Sequence, residues 1–124
     1  SLDNPDDWTY IMSIDEADLS FRFQETPICF VGHTHYPGIF RSDGKYTPFD
    51  EGEYALKGNY KYLVNVGSIG QPRDGIPEAC AVIFDSDRSV VKMKRIGYNI
   101  KKAQDKIIKA GLPKILANRL AFGR

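Results

Sequence analysis

Histidine, cysteine and tryptophan are scarce in this chain: two, two and one in 124 residues. The two cysteines, Cys29 and Cys80, show no Cys-x-x-Cys spacing and sit inside apolar runs. They read as small buried core residues of a protein from a reducing compartment, so a cytoplasmic location is expected. No apolar run approaches the roughly 20 residues of a membrane span, and no signal peptide is visible. Net charge is only +1, which gives no general affinity for nucleic acid or membranes. There are no repeats, linkers or low-complexity segments. The length allows one domain, residues 1–124, with a core of its own.

Both histidines fall in one short stretch, Ile28-Cys29-Phe30-Val31-Gly32-His33-Thr34-His35. Four apolar residues read as a buried strand, and Gly32 lets the backbone turn. In extended backbone, residues i and i+2 point the same way. On that basis His33 and His35 are expected to face one point beyond the strand, where α/β sheets place their chemistry. Imidazole is the commonest metal ligand near neutral pH. A His-x-His pair is also common as a hydrogen-bonded loop or a surface pair, and a zinc-type catalytic site needs about three protein ligands. Thr34 is expected to help shape the turn and has no catalytic role.

The remaining chain reads in order. Asn4 and Pro5 suggest a helix start, continuing through Trp8, Tyr10 and Ile11. Ser13 to Glu16 has the form of a capping box for a second helix, with Ile14, Ala17 and Phe21 on one face. Ser42-Asp43-Gly44 predicts a hairpin between residues 39–41 and 45–47, and Pro48 puts its second strand at an edge. Tyr54 to Gly58 reads as strand or loop. Residues 62–66 form a strand running into the glycine-rich loop 67–75. That loop lacks the Gly-Lys-Ser/Thr ending of a P-loop. Arg73 within it is either a surface arginine or a bidentate phosphate contact in a substrate pocket. The run Ala79–Phe84 suggests a strand buried on both faces. Residues 89–96 return with Val91 and Met93 on one face and Lys92 and Lys94 on the other. Asn99 caps a helix with Ile100, Ala103, Ile107 and Ile108 on one side. Gly111 ends it, and Pro113 opens a last helix with Ile115, Leu116 and Leu120 inward. One sheet with helices on one side is the expected arrangement.

Gly32-His33-Thr34-His35 resembles the last signature of the calcineurin-like metallophosphoesterases. Asn65-Val66-Gly67-Ser68-Ile69-Gly70-Gln71-Pro72-Arg73-Asp74 resembles the loop that follows in one branch of that superfamily. The tail Ala110-Gly111-Leu112-Pro113, with Leu116-Ala117 and Arg119-Leu120, is similar to that branch's C-terminal end. The family's Asp-x-His, Gly-Asp, Gly-Asn-His and further lone histidine are not present in the sequence. The chain therefore looks like the C-terminal half of such an enzyme: an α/β fragment of a four-layer α/β/β/α sandwich, with a mostly antiparallel or mixed sheet and terminal helices.

The resemblance implies a centre of two divalent metal ions (Mn, Fe, Ni or Zn), with His33 on one ion and His35 on the other. Each ring's second nitrogen should then donate to a carbonyl or carboxylate. It implies a phosphate-ester substrate, hydrolysis by the complete protein, and little activity from this chain alone. The bare sheet face of half a sandwich would be covered by the missing N-terminal half or by self-association. The alternative is a non-enzymatic module with a structural histidine pair. Its basic tail, seven Lys or Arg against Asp105 over residues 97–124, would dock an acidic partner or nucleic acid. A solvated helix face is the favoured reading of that tail, so nucleic acid and membrane are not expected partners.

Overall fold

The computed structural model describes residues 9–48 and 50–124. Most of the first expected helix lies outside that range, and residues 9–12, which are described, are not helical. Helix α1 spans Ile14–Phe23. Ser13 caps it by accepting from the Glu16 backbone, and Glu16 reaches back to the cap, so the capping box forms. Lys61 closes the other end, its Nζ donating to the carbonyls of Phe21 and Gln24. Ala17 and Phe21 are buried as expected, whereas Ile14 is exposed.

The Glu16 carboxylate accepts from the backbone of Met12 and Ser13, each at 2.8 Å, and from Ser13 Oγ. These bonds, the one from Met12 foremost, hold its pKa below the ordinary 4.5. The resulting stabilisation is present above pH 4.5 and is lost as pH falls through the lowered folded value. Glu16→Gln should cost about 0.5–1 kcal/mol near neutral pH, since the site is solvent-screened, and should flatten the acid limb of a melting-temperature profile.

The strands make two sheets rather than the one expected. The first holds β1 (Ile28–Val31), β2 (Gly38–Arg41), β3 (Lys45–Pro48) and β5 (Tyr62–Asn65), in the order β1-β5-β2-β3. The second holds β4 (Gly52–Ala55), β6 (Ala79–Asp85) and β7 (Val90–Ile96), in the order β4-β7-β6. The hairpin forms at Ser42–Gly44, with Gly44 at φ +80°, and β3 is an edge strand. Period-2 alternation explains how one strand serves two layers. Tyr62 and Val64 of β5 and Ile39 of β2 pack against Cys80, Val91 and Met93 of the second sheet. Leu63 and Phe40, one residue out of phase, pack outward against Ile11, Ala17 and Phe21. The sandwich core thus lies within this chain.

Four sheet edges are left without a further strand among the described residues: β1 and β3 in the first sheet, β4 and β6 in the second. The β1 and β6 edges lie on the same side of the sandwich, since Phe30 of β1 and Phe84 of β6 are in ring contact at 5.7 Å. The expected two-face burial of β6 holds only at its start. Ala79 and Cys80 are buried, but Ile83 is 55% exposed, because it lies opposite Lys92 on the face turned away from the core. In β7, Val91 and Met93 are fully buried and Lys94 points to solvent, as the alternation predicts.

Helix α2 (Ile100–Lys109) is capped by Asn99, and Gly111 at φ +74° closes its C-terminal end. Ile100, Ala103 and Ile107 are only half-buried and Ile108 is exposed. Helix α3 (Lys114–Asn118) leads into a 3-10 turn, Arg119–Phe122. Ala117 and Leu120 point inward there; Ile115, expected inward, is exposed, because the short helix buries a single face. No described helix is long and apolar enough to cross a membrane.

Candidate metal centre

Strands β1 and β5 are parallel neighbours, with Val31 opposite Asn65. The loops that follow them therefore leave the sheet at the same end, side by side. This brings Gly32-His33-Thr34-His35 against residues 66–74. Val66 N donates to Val31 O at 2.9 Å, continuing the ladder into the loops.

The histidine turn is not extended. His33 and His35 have φ of +72° and +65°, the left-handed region that costs a residue with a Cβ about 1–2 kcal/mol. Strand alternation therefore does not set their directions; a tight turn around Thr34 does. Thr34 N bonds Gly32 O at 2.9 Å. The Thr34 side chain is buried, and its hydroxyl accepts from Tyr36 N at 3.1 Å and from Asn65 Nδ2 at 2.8 Å. Thr34 does shape the turn.

Asn65 is the residue that sequence reading missed. Only 2% exposed at the end of β5, it also donates Nδ2 to Gly32 O at 3.2 Å and accepts Gly67 N on Oδ1 at 3.0 Å. One amide ties both loops together, bonding two groups of the histidine turn and one of the loop after β5. An asparagine at the end of an otherwise apolar strand, followed two residues on by glycine, is the signal that could have found it. Gly67 itself is obligatory: its φ is +69°, and a Cβ there would lie 2.8 Å from Cys80 Sγ.

His35 is half-buried, and its Nδ1 lies 2.7 Å from Gln71 O. A carbonyl only accepts, so Nδ1 carries the proton, which in the neutral ring leaves the lone pair on Nε2. This is the second-nitrogen arrangement expected of a metal-binding imidazole. His33 is exposed at the surface of the turn, with the Tyr10 ring stacked on it at 4.1 Å and 10°. Arg73 is half-buried beside His35's loop, with Nη2 3.4 Å from Gln71 Oε1. Asp74, the nearest acid in that loop, is ion-paired with Arg95, and both side chains are largely buried. Cys80 and Cys29 are free thiols whose pKa values are pushed up by burial, which keeps them unreactive.

The donor set fits a divalent cation in part. His35 is held in the tautomer that presents Nε2 to a ligand, and His33 sits two residues away in the same turn. Among the described residues, however, no group of three or more His, Cys, Asp or Glu side chains is placed to hold a metal ion.

No protein-family model matches the chain. An uncharacterized protein of Methanocaldococcus jannaschii is 40% identical over 121 residues, which cover 98% of this chain and 48% of that protein. The crystal structure of a metallophosphoesterase from Sphaerobacter thermophilus superposes with a TM-score of 0.93 at 38% identity, covering 100% of this chain and 52% of that one. The chain therefore spans about half the length of each. With the glycine–histidine turn and the loop after β5 in the family's order, it has the α/β fold of the C-terminal half of a metallophosphoesterase.

Proposed function

We propose that this chain contributes His33 and His35 to a two-metal centre that hydrolyses phosphate esters, and that the other ligands come from residues outside it. The observation that carries the proposal is the left-handed turn with His35 Nδ1 held by Gln71 O. A backbone strained at two histidines, and locked by a buried asparagine, is the kind of cost that persists at functional sites. The 38% identity to a metallophosphoesterase over the whole chain supports the reaction class. Bound divalent ions, whether manganese, iron, nickel or zinc, would supply a nucleophilic hydroxide and offset charge on the phosphoryl oxygens. The chain's own residues orient the two imidazoles, and Arg73, one turn of loop away, is assigned to the phosphate of the substrate.

The partner we assign is a further half of the same sandwich, with its strands added to the open edges of β1 and β6. Exposed Phe30 and Phe84, in ring contact between the two edges, mark that seam. Without it, the chain should self-associate through the same edges, or be captured by the missing half when the two are coexpressed. A stable monomer by light scattering, with no uptake of the other half, would rule the seam out.

Substrate class is tested on the product of the complete reading frame with chromogenic aryl monoesters and diesters. Chelator-sensitive turnover of either is expected. Its absence on both, with no bound metal, would leave the histidine pair a structural feature of a binding module.

A further inference from the structure

The C-terminal turn reaches the candidate centre. Gly123, at φ +60° after the 3-10 turn, is buried and accepts from Gly75 N at 3.0 Å. A Cβ on Gly123 would lie 2.5 Å from Ile76 N and 2.7 Å from Gly75 C, so the two backbones meet as closely as only glycine allows. The next carbonyl, of Arg124, accepts from Gln71 Nε2 at 3.2 Å. Gln71 is also the residue whose own carbonyl takes the Nδ1 proton of His35 at 2.7 Å. Its backbone N–H in turn donates to Ser68 Oγ at 2.9 Å.

We infer that the C-terminal turn, through Gly123 and Arg124, is a positioning element for His35. It holds Gln71 so that the Gln71 carbonyl fixes the His35 ring and its tautomer. The chain of contacts runs from the turn to the loop 70–76, and from that loop to one imidazole. Loop 67–76 is fastened elsewhere by Gly67 N to Asn65 and by Asp74 to Arg95, and the Gln71 main chain by Ser68 Oγ. The turn adds two further holds, one on the Gln71 side chain and one on Gly75 N. Gln71 is thus a positioning residue, acting on the ligand through its main chain while its side chain takes the hold of the C-terminal turn. That Nε2 then serves a cation rests on the function proposed above; the tautomer itself does not.

The test reads the imidazole directly. Nitrogen-15 shifts of His35 in the metal-free full chain, at about pH 8 where imidazole is neutral, report which ring nitrogen carries the proton. The unmodified chain should show the Nδ1–H form predominating. Gln71→Ala keeps the carbonyl but drops the side-chain bonds to Arg124 and Arg73, and Gly123→Ala, which removes neither side chain, forces the turn off loop 75–76. Both should move His35 to a mixture of tautomers, and both should weaken divalent-metal binding by the complete protein about ten-fold or more. Val91→Ala, a core cavity remote from the loop, serves as the control for lost stability and should leave the tautomer alone. If Gln71→Ala folds and leaves the Nδ1–H form intact, or if Val91→Ala shifts it equally, the inference is overturned. Gln71→Ala carries this outcome even if Gly123→Ala fails to fold. If the tautomer shifts as expected while the complete protein binds no metal, the positioning stands and the metal reading alone falls.

Discussion

His33→Ala and His35→Ala in the complete protein should each lower turnover by about 10³-fold or more, equivalent to about 4 kcal/mol of transition-state stabilisation. Bound metal should fall with it. On the proposed function, each ring would supply a donor that no other described side chain replaces, since the acid in the neighbouring loop, Asp74, is committed to Arg95. The fold should survive. Both residues lie in a turn, outside the two apolar clusters that hold the sheets together. Glycine makes a sharper test than alanine. At φ of +72° and +65°, His33→Gly and His35→Gly relieve about 1 kcal/mol of left-handed strain each. That relief offsets the loss of the Tyr10 stack or of the Gln71 hydrogen bond. Thermal stability should therefore change by less than about 1 kcal/mol while metal content and kcat collapse. Variants that keep near-normal turnover would remove this turn from the chemistry. Variants that fail to fold would make the histidines structural.

Asn65→Leu should cost about 3 kcal/mol of stability. The leucine leaves Gly67 N without its acceptor, at about 1–3 kcal/mol for a group left unpaired in the interior, and takes one of two donors from Gly32 O and from Thr34 Oγ1. Partial rearrangement, with Thr34 still held by Tyr36 N, keeps the total below the sum. Asn65→Asp separates shape from hydrogen bonding. It retains an acceptor for Gly67 N but sets a carboxylate oxygen against Gly32 O. Its folded pKa should rise, so the variant recovers stability as pH falls toward about 4 and loses it again at neutral pH. Denaturant melts at both pH values measure this. A flat profile would mean that the amide donor is not what the turn requires.

The difference between what sequence patterns reveal and what they hide follows the range of the interactions involved. The α1 capping box, the Ser42–Gly44 hairpin, the Asn99 cap and the alternation of β7 rest on neighbours within a few residues, and all appear as expected. The second sheet was not legible, because alternation shows that a strand has two faces but not which layer each face meets. Tyr62 and Leu63 both read as apolar, yet they belong to different cores. The directions of the histidines were misread for a similar reason. Alternation assumes that the strand continues, and β1 stops at Val31. What tightens the turn beyond it is Asn65, thirty-one residues from Thr34, and no local pattern carries a contact at that distance. The link from Gln71 to the C-terminal turn is longer still.

Isothermal titration of manganese into this 124-residue chain, alone and then as part of the product of its whole reading frame, tests the shared-centre reading directly. The chain alone should bind the metal weakly and hydrolyse no aryl phosphate, because two imidazoles fall short of the three or more donors a catalytic site needs. The complete product should bind about two ions tightly and hydrolyse the ester in a chelator-sensitive way. Tight binding with chelator-sensitive turnover by the chain alone would contradict the reading, and so would a complete product that binds no metal.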